Sequence, residues 1–205
     1  MTPARGARTP VLSPSGVRHL KAAAAGATIG AGVGALVFDP AREPGQVMAS
    51  AVLCAAMAAI ALEDSLRFRV PDPWVYGALA AGLVWSIAER LEAGEGIATA
   101  AGTVVIAAAV CGGAFWAVRE GFFRLRGIDG LGLGDVKLAA AGGAWLGWDL
   151  FAAAVFVAAV GAIAFVAAAM LRQGNWMPGR RLAFGAFLAP AIWAVWLVAR
   201  YGPQA

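Results

Sequence analysis

Histidine is almost missing from this chain: His19 is the only one in 205 residues. That leaves no basis for a histidine-based triad or a histidine-rich metal cluster. Cysteine is equally scarce. Cys54 and Cys111 both lie inside apolar runs and form no C-x-x-C pair, so neither a zinc site nor a disulfide framework is indicated and both are expected in the core. Charge is the third shortage. Only 14% of residues are charged while 61% are hydrophobic, and the mean hydropathy is +0.74. A soluble domain carries far more charge and far less apolar surface, so water is not the solvent of this chain.

What the sequence does have is apolar runs of roughly the 20 residues needed to cross a bilayer. They extend from Ala22 to Phe38, Gln46 to Leu62, Trp74 to Ala88, Gly96 to Val118, Val136 to Trp148, Leu150 to Leu171 and Leu182 to Ala199. The expected fold is therefore all-α, a polytopic membrane bundle of about seven helices. The fifth run is short and is expected to begin near Leu131, which carries Asp135 and Lys137 into or to the edge of the bilayer. Gly26, Gly30 and Gly34 fall on one helical face, and Gly143 and Gly147 repeat the spacing, the pattern of close helix packing through small residues. The first run follows Arg5, Arg8, Arg18 and Lys21 but has no clear cleavage site, so it is expected to be retained rather than removed as a signal peptide.

Lys and Arg alternate strongly between connections. Arg5, Arg8, Arg18 and Lys21 precede the first run; Arg67 and Arg69 follow the second; Arg119, Arg124, Arg126 and Lys137 flank the fourth connection; Arg172, Arg180 and Arg181 follow the sixth run. The intervening connections hold Asp39, Arg42 and Glu43, then Glu89, Arg90, Glu92 and Glu95, then Asp149. By the positive-inside rule the first set is cytoplasmic, which puts the N-terminus inside and satisfies every loop with seven spans. Phe122, Phe123 and Leu125 interleave with Arg124 and Arg126, as expected of a segment from Arg119 to Leu131 lying along the headgroups.

This orientation places two acids at one depth. Asp135, in Gly132-Leu133-Gly134-Asp135-Val136-Lys137-Leu138, opens an apolar helix, where a carboxylate costs several kcal/mol unless protonated or paired. Gly132 and Gly134, lacking Cβ atoms, let other backbone approach it closely. Its partner comes from Glu63 and Asp64, or from Asp72 just before Pro73. Asp72 has the position of a helix N-cap and is expected to be structural. Glu63 and Asp64 point about 100° apart on a helix, so only one can face Asp135, and the residues alone leave that choice open. Lys137 faces another side of the helix from Asp135, as a snorkelling anchor or substrate contact would.

The run from Asp64 to Pro71-Asp72, the Gly132–Leu138 segment, Ala144-Trp145-Leu146-Gly147-Trp148 and the closing Leu182-Ala183-Phe184-Gly185-Ala186-Phe187-Leu188-Ala189-Pro190 together resemble the type IV prepilin peptidases. The resemblance covers the chain from about Val47 onward; Ala186 stands where that family usually has proline. It implies that Asp64 and Asp135 are the two catalytic aspartates, with Gly132, Gly134 and Lys137 as supporting residues, and that Glu63 and Asp72 are not catalytic. Larger members carry a cytoplasmic insertion with paired C-x-x-C motifs and also methylate the new amino terminus. Nothing here matches that insertion, so the short, peptidase-only branch is expected, without methyltransferase activity.

The expected organisation is a basic tail over residues 1–21, one transmembrane peptidase domain over 22–200 and a short tail over 201–205. The reaction implied is aspartyl hydrolysis without metal or other cofactor, in which two like charges held close titrate as a unit. The implied partners are prepilins or pseudopilins with basic leader peptides and the bilayer of a bacterial inner membrane, and no nucleic acid. A small proton-coupled transporter and a catalytically inactive pilus or secretion assembly protein are the alternatives. The acids at one membrane face, without evident repeats, fit a transporter poorly. An alkaline-phosphatase fusion after Arg126 is expected to be inactive; an active one would overturn both the topology and the meeting of the two aspartates.

Overall fold

The computed structural model describes residues 14–37, 43–127, 130–173 and 182–201. Among the described residues six helices follow in order: α1 (Pro14–Val37), α2 (Pro44–Arg67), α3 (Asp72–Glu92), α4 (Ile97–Arg126), α5 (Leu133–Gln173) and α6 (Gly185–Tyr201). No strand occurs among the described residues. Arg5, Arg8, Asp39, Arg42, Arg180 and Arg181 of the charge pattern lie outside them.

Local sequence explains the boundaries. Pro44 enters α2 at its first turn, where its missing N–H is no loss, and Phe68 ends the helix with a left-handed φ of 53° and its N–H donating to the Asp64 carbonyl at 2.8 Å. Gly127 ends α4 the same way, at φ 68°, with its N–H on the Phe123 carbonyl at 2.7 Å. Inside α5, Gly147 has φ 70° and ψ 176°, a conformation open to glycine, which breaks the helix into limbs 133–146 and 148–173.

The limbs run in opposite directions beside α6. Asp135 lies by Gly185 at one end of α6 and Trp145 stacks edge-on to Trp196 toward the other, so the first limb runs parallel to α6. Phe151 lies close to Ile192 across Gly142, and Phe165 meets Phe187, so the second limb returns antiparallel. With this break the helices supply seven segments that match the seven apolar runs. By length and composition Pro44–Arg67, Ile97–Arg126 and Leu133–Arg172 are long and apolar enough to cross a membrane, and Lys21–Val37 and Gly185–Arg200 are shorter apolar helices. This is a polytopic membrane bundle.

Two expectations change. Helix α1 begins at Pro14, so part of the basic stretch assigned to a tail is helical. The segment after Arg119 is no separate surface helix: α4 runs unbroken for 30 residues, about 45 Å, and carries Arg124 and Arg126 beyond the reach of the ~30 Å hydrocarbon layer. Continuity of α4 costs nothing in backbone hydrogen bonds, whereas a bend at the interface would expose several.

Leu53, Met57 and Ile60 of α2, Leu138 of α5 and Leu188, Ile192 and Trp196 of α6 form the buried centre. Outside it, Ile106, Val110, Phe156, Ile163 and Val198 turn outward, as side chains facing lipid do. Helix α1 docks on α2 through small residues: a Cβ on Gly30 would sit 2.6 Å from both the Ser50 carbonyl oxygen and Cys54 Cβ, while one on Gly32 would meet nothing within 4 Å. The Ser50 hydroxyl donates to the Gly30 carbonyl at 2.8 Å across this contact. Gly30→Leu is therefore expected to cost about 1–3 kcal/mol and lower the Tm of the detergent-purified protein, whereas Gly32→Leu leaves it unchanged.

Candidate active site

Asp64 is in the last turn of α2 and Asp135 in the first turn of α5, so the two helices bring their ends together. Both are nearly buried, with 5% and 9% of their surface exposed. Helix α6 begins between them. A Cβ built on Gly185 would lie 2.9 Å from Asp64 Oδ2 and 3.1 Å from Asp135 Oδ1, so those oxygens cannot be farther apart than the two distances together. The backbone N–H of Ala186 donates to Asp64 Oδ2 at 2.9 Å. Asp135 Oδ1 is buried and has no hydrogen-bond partner among the described residues.

The choice between adjacent acids that the residues left open is decided by α2 itself. Asp64 faces α6 and Asp135, while Glu63 turns to Arg67 one turn on, at 3.3 Å. Glu63 is also buried, with 8% of its surface exposed, and does not line the cavity that holds Asp64 and Asp135. Asp72 is not the N-cap of α3. Pro71 holds the cap position, no side chain caps the helix, and Asp72 is its first helical residue. Its carboxylate instead accepts a hydrogen bond from Lys137 Nζ at 2.6 Å, and Lys137 also lies 5.1 Å from the centre of the Tyr76 ring. This ion pair links the starts of α3 and α5 at an exposed position.

The glycines before Asp135 have separate neighbours. A Cβ on Gly134 would overlap Val70 of the α2–α3 connection, at 2.6 Å from its Cβ, so this glycine lets that connection close over the start of α5. Gly132 accepts the Asp135 N–H at 3.1 Å and ends 3.3 Å from Asp135 Oδ2, counted from the position of an added Cβ. Asp64, Phe68, Arg69, Val70, Asp72, Gly132, Leu133, Gly134, Asp135 and Lys137 line a cavity of about 310 Å³ with charged residues at its rim. No group of three His, Cys, Asp or Glu side chains among the described residues could hold a metal ion, and Cys54 and Cys111 are separate, buried and free.

At the other end of the bundle Glu89 of α3 receives Arg200 of α6 at 2.6 Å and the Gln46 amide of α2 at 3.3 Å. Arg200 also covers the Trp196 ring at 4.6 Å. These contacts join the same three helices whose opposite ends meet at the carboxylates and the cavity rim. Gly185 is the site residue that composition and charge do not reveal; its signal was its place in the closing Phe184-Gly185-Ala186-Phe187 segment.

The fold and site define a class: a helical membrane protein that brings two nearly buried carboxylates from different helices together at one end of its bundle. The comparisons with known proteins name it further. Residues 51–167 match the model of the type IV leader peptidase family, and the chain belongs to that family. It is 35% identical over 181 residues to a prepilin leader peptidase/N-methyltransferase of Burkholderia pseudomallei (strain K96243), covering 86% of this chain and 53% of that protein. It is 30% identical over 149 residues to a prepilin leader peptidase/N-methyltransferase of Aeromonas salmonicida, covering 71% of this chain and 47% of that protein. The leader peptidase HopD of Escherichia coli is 41% identical over 83 residues, covering 40% of this chain and 54% of that protein. The chain thus spans about half the length of these curated relatives. No solved structure matches it.

Proposed function

We propose that this chain is a membrane-embedded aspartyl endopeptidase that removes the basic leader peptide from type IV pilin-like prepilins, working at the cytoplasmic face of a bacterial inner membrane. The observation that carries this reading is the approach of Asp64 and Asp135 to one point beside Gly185, inside a bundle otherwise poor in charge. Its family membership and the names of its relatives agree with it.

The chemistry needs one proton shared between the carboxylates, because two like charges this close in an apolar surround do not both ionise. The ionised member takes a proton from a water as its oxygen bonds to the scissile carbonyl carbon. The protonated member gives its proton to the carbonyl oxygen, leaving a gem-diol. On collapse the first carboxyl returns its proton to the amide nitrogen, the C–N bond breaks, and the second regains one from a hydroxyl. The pair ends as it began, with one proton between them, so neither metal nor covalent intermediate is required.

The cavity suits an extended segment crossing the membrane face. Gly132 keeps a side chain off Asp135 Oδ2, Gly134 lets Val70 close over the start of α5, and Arg69, Asp72 and Lys137 bring charges of both signs to the cavity. The orientation rests on the Lys and Arg asymmetry, which assigns the end bearing Arg67, Arg69, Arg124 and Arg126 to the cytoplasm.

Asp64→Asn and Asp135→Asn are each expected to reduce prepilin cleavage by orders of magnitude while membrane insertion and abundance stay near wild type, since the amide is isosteric but can neither act as base nor share the proton. Glu63→Gln is expected to retain cleavage, because its carboxylate is turned to Arg67. Processing of a prepilin in cells, read by gel shift, checks all three. Cleavage that survives Asp64→Asn but fails in Glu63→Gln would reverse the assignment of the neighbours.

A further inference from the structure

We propose that the first turn of α6, through Gly185 and the Ala186 N–H, is a positioning element that sets the spacing and orientation of the two aspartates. The inference rests on the aspartyl reading above and extends it to a helix that contributes no acid.

Gly185 lies against both carboxylates. At 2.9 Å and 3.1 Å, an added Cβ would lie inside normal carbon–oxygen contact with Asp64 Oδ2 and Asp135 Oδ1, and 3.2 Å from Asp64 Cγ. The two neighbours differ: Asp64 Oδ2 is tied by the Ala186 hydrogen bond, whereas Asp135 Oδ1 has no hydrogen-bond partner among the described residues, so the Asp135 carboxylate is the one that would be displaced. A methyl at position 185 would therefore act as a wedge that pushes the pair apart. Glycine here is a spacer: its backbone closes the site on the α6 side and lets oxygens of both carboxylates approach the same point.

The Ala186 N–H adds orientation. It fixes Asp64 Oδ2, and the positive end of the helix favours charge on the carboxylate it holds. The start of α6 also has an anchor at its far end. Arg200 binds Glu89 of α3 and covers Trp196, which fixes how far α6 reaches toward the aspartates.

The test uses the purified full chain in detergent with a purified prepilin, reading kcat, KM and Tm. A misplacement of catalytic groups by about 1 Å costs on the order of 100-fold, so Gly185→Ala is expected to lower kcat by that order with KM and Tm near wild type. Ala186→Pro keeps a residue suited to a helix's first turn but removes the donor, and is expected to lower kcat by roughly tenfold, the size of one hydrogen bond to a charged group. Gly161→Ala, on α5 with only Phe187 near it at 3.7 Å, is expected to cleave like wild type. Cleavage by both Gly185→Ala and Ala186→Pro at the wild-type kcat would overturn this inference and leave the aspartyl reading intact. A folded wild-type chain that cleaves no prepilin would instead sink that reading. If Gly185→Ala lost its fold, Ala186→Pro alone would decide: a tenfold lower kcat supports the proposal and an unchanged one ends it.

Discussion

Two carboxylates buried close together in an apolar bundle are the constraint on which this structure turns. Each would cost several kcal/mol in hydrocarbon if it stood alone and charged. The fold limits that cost by placing both at helix ends and aiming a backbone N–H at one of them. It also gives them a cavity with a charged rim rather than a sealed core. The same arrangement that makes burial tolerable makes the pair chemically useful, since a shared proton is cheaper than two charges.

The remaining architecture keeps that meeting point in register. Contacts at the opposite end of the bundle join α2, α3 and α6 through Gln46, Glu89 and Arg200. The Trp145 indole N–H donates to the Ala78 carbonyl at 2.8 Å, and the Ser86 hydroxyl to the Ala144 carbonyl at 2.7 Å, both tying α3 to the first limb of α5. In a membrane the hydrophobic effect does not press helices together, so small residues and such polar links carry the packing. Gly82, whose added Cβ would lie 2.5 Å from Trp145, admits that tryptophan against α3.

Much of this was legible in the sequence. Apolar runs set the number of segments because backbone in lipid must satisfy its own hydrogen bonds, and the Gly147 break restores the seventh segment that one continuous α5 would have removed. The family motifs singled out Asp64 over Glu63, and α2 places Asp64 against the start of α6. Three features were not legible. The role of Asp72 depended on Lys137, 65 residues away, and local capping preference could not anticipate so distant a partner. The length of α4 was obscured because its charged last turns read like a surface helix. Gly185 was visible only as a letter in a motif, since what it does comes from the two acids that α2 and α5 bring to it.

The central claim is that the two aspartates act together on a water rather than by forming a bond to the substrate. A single turnover of prepilin in water enriched in ¹⁸O, followed by mass spectrometry of the released leader and of the peptides containing Asp64 and Asp135, tests it most directly. The account predicts one ¹⁸O in the new leader carboxylate and none in either aspartate. Label in Asp64 or Asp135 after one turnover would reveal an acyl intermediate on that residue and contradict it.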